Sequence, residues 1–130
     1  MKLKKIKKAE SQTNIILLGD FNEDPDDENV ALLNSVGLTS VMLDMIGKKD
    51  VGTYRYRGMN YLYDQIIVSE EIIDQKGITI ADSSVYILDL PKYRQQEGKY
   101  NMYPFRFWAG DRLLGGYSDH LAIKVDLVLN

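Results

Sequence analysis

The apolar residues of this chain come in short runs, each closed by glycine or another turn-forming residue. That spacing restricts it to short strands and shorter helices. Asn14–Leu18 (NIILL) ends at Gly19 and has no polar alternation, which predicts a strand buried on both faces. Thr53–Arg57 (TYRYR) alternates and is rich in β-formers, Gly58-Met59-Asn60 reads as a turn, and Tyr61–Val68 (YLYDQIIV) follows, so the two runs predict a hairpin. Ile78–Ile80 and Val85–Leu88 are further strand candidates. Leu121–Leu129 (LAIKVDLVL) puts Leu121, Ile123, Val125 and Leu127 on one face of a final strand. Asp26 or Asp27 can cap a helix running to about Ser35, with Gly37 as its stop, and Ser40–Ile46 reads as a second helical stretch ending at Gly47. The expected class is α+β or α/β: one mostly antiparallel sheet with flanking helices.

At 130 residues and 45% hydrophobic content, the chain suits one unit, residues 1–130, with a core of its own. No apolar run is long enough to span a bilayer. The absence of cysteine excludes a disulfide framework, a thiolate metal site and a cysteine nucleophile. A single histidine excludes any site that takes several imidazoles from one chain. The net charge of −3 is not that of a globally basic nucleic-acid binder. The charges are uneven, however. Five of the first eight residues are lysine, and six of the nine from Asp20 to Glu28 are acidic. The start, MKLKKIKKAESQTN, lacks the apolar core of a secretory leader. Its Leu3, Ile6 and Ala9 recur at helical spacing, so it reads as the last turns of an amphipathic helix with a solvated lysine face.

Gly19-Asp20-Phe21-Asn22 falls where a buried strand ends, and in open α/β sheets ligands gather at such ends. A carboxylate there can hold a divalent cation or position a water, and a carboxamide can orient the same water without adding charge. Asp20 and Asn22 can also simply cap the turn. Asp20, Asn22, Asp24 and Asp26 are spaced like the start of a calcium loop. That motif needs Gly at its sixth position and Glu at its twelfth, where this chain has Pro25 and Ala31.

Three segments, in order, resemble the endonuclease/exonuclease/phosphatase superfamily, which includes the deoxyribonuclease-I-like and abasic-endonuclease-like enzymes. They are GDFN from Gly19, Tyr63-Asp64-Gln65-Ile66-Ile67-Val68-Ser69, and Ser118-Asp119-His120-Leu121 just before the final strand. The resemblance implies metal-dependent hydrolysis of a phosphodiester or phosphomonoester. Asp20 would activate or position the attacking water, Asn22 would orient phosphate and water, and Asp64 would orient His120. Asp119, with Asp20, would bind magnesium or manganese. Chemistry agrees with the pairing of Asp64 and His120, because a carboxylate on an imidazole fixes its tautomer and stabilises the imidazolium. Gln65 stands where relatives often carry Tyr or His.

The three segments all belong to the C-terminal half of the family's four-layer αββα sandwich. The resemblance therefore implies half of that sandwich, without the half that supplies an early Asn, the main metal-binding Glu and a second His. Glu10 and Glu23 are the nearest spare glutamates, and neither lies in a matching context. Two consequences are expected. The chain alone lacks the full metal site, and the apolar sheet face left open needs a partner, either the other half or a second copy in a homodimer. A non-catalytic half-domain that binds phosphate or a partner is the alternative reading.

Pro91–Gly110 is long, polar and aromatic without a clear period, as functional loops often are. It and the segment after it supply the substrate-binding candidates. Trp108 and Tyr117 could stack on a base or sugar, and Arg106 and Arg112 could pair with phosphate; the bland reading has these aromatics covering a core edge. Gly115-Gly116 lets the chain turn sharply toward the SDH segment. Tyr54-Arg55-Tyr56-Arg57 reads as a solvated hairpin face. The motifs handle phosphate and metal, not the leaving group, so the substrate stays open among nucleic acid, lipid and sugar phosphates.

Overall fold

The computed structural model describes residues 2–9, 13–74 and 77–130. Its elements run α1 (Lys2–Ala9), β1 (Ile16–Asp20), α2 (Glu28–Ala31), β2 (Leu38–Ser40), β3 (Tyr54–Tyr56), β4 (Met59–Tyr61), β5 (Asp64–Ser69), α3 (Glu70–Ile73), β6 (Ile78–Ile80), β7 (Tyr86–Ile87), β8 (Trp108–Ala109), β9 (Arg112–Leu113), β10 (Ile123–Lys124) and β11 (Leu127–Leu129). Short 3₁₀ turns cover Leu32–Val36, Leu43–Met45 and Pro91–Tyr93. Every strand pairing is antiparallel, and the fold is a mixed α+β one. The pairings divide into a three-stranded sheet, β1-β5-β2, and two-stranded pairs β3-β4, β6-β11, β7-β10 and β8-β9. No helix of the described residues is long and apolar enough to cross a membrane.

The core is built around β5. Successive side chains of a strand face opposite sides. Ile66 and Val68 accordingly pack with Ile72 on one side, while Ile67 packs with Val30, Val36 and Leu38 on the other. Burial of this one strand on both faces explains why its sequence reads as an apolar run rather than an alternation. The strand expected to be buried on both faces, β1, is instead an outer strand of its sheet, and Leu18 is 72% exposed.

Other boundaries shift for identifiable reasons. The predicted Tyr61–Val68 strand breaks at Leu62-Tyr63, because the acidic loop captures the backbone there. Leu62 N–H donates to Asp24, Leu62 C=O accepts from Gln65 Nε2, and Phe21 N–H donates to Tyr63 C=O at 2.8 Å. The hairpin turn lies one residue earlier than predicted, at Arg57-Gly58. Their φ values of 49° and 84° are both left-handed, as a two-residue hairpin turn requires. The predicted helix from Ser40 is a strand end followed by a single 3₁₀ turn. Leu38, fully buried, pairs with Ser69, and Ser40 donates from Oγ to Gln65 Oε1 at 2.7 Å, which commits the segment to the sheet. The helix after Asp27 tightens into a 3₁₀ turn before Gly37 stops it in the left-handed region. The C-terminal run divides at Val125-Asp126, where the Asp126 backbone exchanges two hydrogen bonds with Ser84 Oγ.

The long polar segment holds little regular structure beyond a 3₁₀ turn and β8, but it is pinned. The Arg94 guanidinium, with only 5% of the residue exposed, forks onto Asp89 (Nε to Oδ1 2.7 Å, Nη2 to Oδ2 2.8 Å) and also donates to Met102 C=O at 2.7 Å. Backbone bonds Gln95 N–H to Tyr103 C=O and Met102 N–H to Gln95 C=O, both 2.8 Å, close the segment into a strap.

Candidate active site

Antiparallel pairing sets Asp20, the last residue of β1, directly opposite Asp64, the first of β5. Opposed residues share a face, so both carboxylates rise on one side of the sheet end. His120 arrives from the other end of the chain. Its backbone bridges Tyr54, and Leu121 N–H donates to Thr53 C=O at 2.7 Å. Thr53 is fully buried, and its Oγ1 also accepts from Asp64 N–H at 3.2 Å. One threonine thus ties down both members of the Asp64–His120 pair.

His120 Nδ1 lies 2.7 Å from Asp64 Oδ2. Its Nε2 faces Asp20 Oδ2 at 3.9 Å. The Tyr54 ring stacks on the imidazole with centroids 4.8 Å apart and covers one face of it. With an ionised Asp64 holding the Nδ1 proton, Nε2 is left to accept or deliver a proton toward Asp20. The pair is partly sheltered, with His120 21% and Asp64 17% exposed, whereas Asp20 is 41% exposed. A reacting group could therefore reach Asp20 and Nε2 from solvent.

Asn22 has a left-handed backbone (φ 53°), and its N–H donates to Asp20 Oδ1 at 2.8 Å. The turn-capping geometry is thus present, and it leaves Asp20 Oδ2 toward the histidine. Asp24 N–H donates to Asp27 Oδ2 at 2.8 Å. Burial pushes the Asp24 carboxyl above its ordinary value; the Leu62 N–H opposes this, and the nearby Asp27 and Asp26 charges add to it. Glu23 accepts from Asn29 with one oxygen, and its other oxygen is buried without a hydrogen-bond partner. Glu10 lies outside the described residues.

Asp119 is exposed, and among the described residues it makes no hydrogen bond or ion pair with Asp20 or His120. Tyr117 and His120 line one small cavity of about 180 Å³. Arg106 lines a different cavity, of about 600 Å³, together with Tyr54. Trp108 and Arg112 lie on the β8–β9 hairpin and line neither. The structure thus gathers Asp20, Asn22, Asp64 and His120; Tyr117 shares a cavity with His120, Arg106 shares another with Tyr54, and among the described residues Asp119, Trp108 and Arg112 make no hydrogen bond or ion pair with the gathered four.

The roles of three residues were not visible in the sequence. Thr53 and Tyr54 reach the His120 segment, more than sixty positions away, which no local pattern encodes. Gln65, buried, donates from Nε2 to the backbone carbonyls of Glu23 and Leu62, and so holds the acidic loop to the bend before β5. Its place beside Asp64 was the available signal. Tyr54–Arg57 is also not merely a solvated face, since Tyr54 packs on His120.

A model of the endonuclease/exonuclease/phosphatase family matches residues 1–128. No curated protein matches the chain. The match spans the carboxylate-bearing strand ends and the histidine segment alike, and the chain belongs to the endonuclease/exonuclease/phosphatase family.

Proposed function

We propose that this chain carries the proton-handling part of a phosphoester hydrolase site. The observation that supports it most is the Asp64–His120 hydrogen bond of 2.7 Å, with the free Nε2 directed at Asp20. Asp64 fixes the ring. The protonated imidazole donates from Nε2 to a phosphoryl oxygen, stabilising the charge that develops there. Asp20, the most exposed of the three, positions the attacking water and takes up its proton; as the water oxygen bonds to phosphorus, the bond to the leaving alkoxide breaks and that oxygen takes a proton from solvent. Asn22 orients that water and the phosphate. Either a diester or a monoester fits, because these groups address only the phosphoryl centre and the water.

Family members commonly use divalent metals, and magnesium or manganese is the cofactor the resemblance implies. Asp20, Asn22 and Asp119 are oxygen donors of the hard kind such ions take. Among the described residues, however, no three carboxylates or imidazoles converge into a metal-holding group. The donors do not fit a complete cation site, and the steps above belong to the side chains alone. The same sparse donor set favours a second reading, a phosphate-binding half-domain without turnover.

The test is hydrolysis of bis(p-nitrophenyl) phosphate and p-nitrophenyl phosphate with magnesium or manganese supplied. His120→Ala is expected to lower the rate by about 10²–10⁴-fold, and Asp64→Asn to lose much of the same factor without adding to it in the double variant. Full activity in His120→Ala would sink the assignment. A wild-type chain that binds phosphate but turns over neither ester would establish the second reading.

A further inference from the structure

The cavity beside the histidine has an unusual lining. Arg55, Arg57, Lys99 and Arg106 all face it, and no aspartate or glutamate does. In a chain of net charge −3 this is a local reversal of sign. Among the described residues none of the four is in an ion pair with a carboxylate. Three are instead laid on tyrosine rings: Arg55 over Tyr103 at 5.4 Å, Arg57 over Tyr56 at 5.2 Å, and Lys99 over Tyr100 at 5.5 Å. A ring face steadies a cation without neutralising it, so the charges stay available to a ligand. Arg55 Nε is moreover buried with no hydrogen-bond partner, a donor of the kind native structures rarely leave unused.

Two backbone features hold this lining in place. Tyr103 accepts from Gly58 N–H through its hydroxyl at 2.8 Å, which fastens the strap of residues 91–104 to the β3–β4 turn. Arg57 occupies the first left-handed position of that turn, where Asn, Asp or Gly is the lower-energy choice. A long cation at such a site is a local cost that an anionic ligand would offset. The cavity volume of about 600 Å³ falls in the range of small-molecule sites. Tyr54 both lines it and stacks on His120, so one ring separates the cavity from the Asp64–His120 pair.

Building on the phosphoesterase reading, we infer that the Arg55-Arg57-Lys99-Arg106 cavity binds a second phosphate of the substrate, which is a small molecule phosphorylated at two positions. The phosphate to be hydrolysed meets Asp20 and His120, and the other is held by the four cations. The cavity sets specificity by charge and makes no bond to the reacting phosphorus.

The experiment is a tyrosine-fluorescence titration of the intact chain in EDTA with fructose 1,6-bisphosphate and with fructose 6-phosphate, which differ by one phosphate. The bisphosphate should bind at least tenfold more tightly. Arg57→Ala/Lys99→Ala, at two exposed positions, should reduce that ratio to less than twofold, with far-UV circular dichroism confirming the fold. Equal binding of the two sugars by the wild type, or an undiminished ratio in the double variant, would overturn the inference. Tighter binding of a ten-residue oligothymidylate than of the bisphosphate would overturn it in favour of a nucleic-acid strand. Because the readout needs neither metal nor turnover, it can fail while the His120 assignment holds, and the reverse.

Discussion

Thr53 shows how the site depends on residues that carry no chemistry. Its carbonyl and its hydroxyl each hold one side of the Asp64–His120 pair, so the pair's geometry is set by a side chain that faces no solvent. Asp20, Asp64 and His120 were legible in the sequence because each sits in a short motif at a strand end. Thr53, Tyr54 and Gln65 were not, because their partners are defined only once the strands pair. Asp24 belongs to the same class. Burial raises its carboxyl above 3.8, with Asp27 and Asp26 adding to the Leu62-opposed shift. A carboxyl raised on folding binds its proton more tightly in the folded chain, so its ionisation costs stability. That cost is complete above the folded value and disappears as the pH falls through it toward 3.8. Asp24→Asn keeps an oxygen for Leu62 N–H and removes the charge. It is expected to melt about 1–3 °C above the wild type at neutral pH, with the gap closing on acidification. A gap independent of pH in thermal unfolding would refute this account.

At the scale of elements, most strands were visible and their ends were not; β2, which ends where a helix was expected to begin, and the β8–β9 hairpin were missed. The apolar runs located β1, β5 and the C-terminal strands. The breaks at Leu62-Tyr63 and Val125-Asp126 come from side chains that capture backbone groups, and such bonds leave no period in the sequence. The strap of residues 91–104 is the extreme case: it is held by the buried Arg94 fork and two backbone bonds, and none of these has a local signature. Gly115-Gly116 did signal a sharp turn, and Gly116 adds a second constraint. A Cβ there would lie 2.1 Å from Phe105 O and 2.6 Å from Arg106 O. Backbone carbonyls cannot swing aside as a side-chain tip can, so Gly116→Ala must part the His120 segment from the strap and break the 2.6 Å bond from Tyr117 N–H to Phe105 C=O. A loss of about 2–4 kcal/mol in urea unfolding is expected. An unchanged midpoint would show that the two segments are not in that contact.

The antiparallel α+β class was legible for the whole molecule, because strand runs outnumber helical ones and the turns between them are short. Its division into one three-stranded sheet and several two-stranded pairs was not, since sheet membership depends on which edges remain covered. The surface carries the consequence. The chain exposes 8659 Å², whereas a folded monomer of 14.9 kDa exposes about 7,000 Å². The excess is about 1,600 Å², and a standard interface takes about 800 Å² from each partner. Part of the excess is apolar and lies on strands: Leu18 is 72% exposed, Leu127 45%, Val128 42% and Leu129 81%. A second copy of the chain is the occupant always available at high concentration. We therefore expect sedimentation equilibrium to give a reversible dimer, and the melting temperature to rise with protein concentration as mass action requires. Leu18→Lys, at an exposed position of the outer strand β1, should shift the equilibrium toward monomer while preserving the circular dichroism spectrum. A chain that sediments as a monomer at every concentration, with a constant melting temperature, would show that the extra surface is stable in water and that no copy covers it.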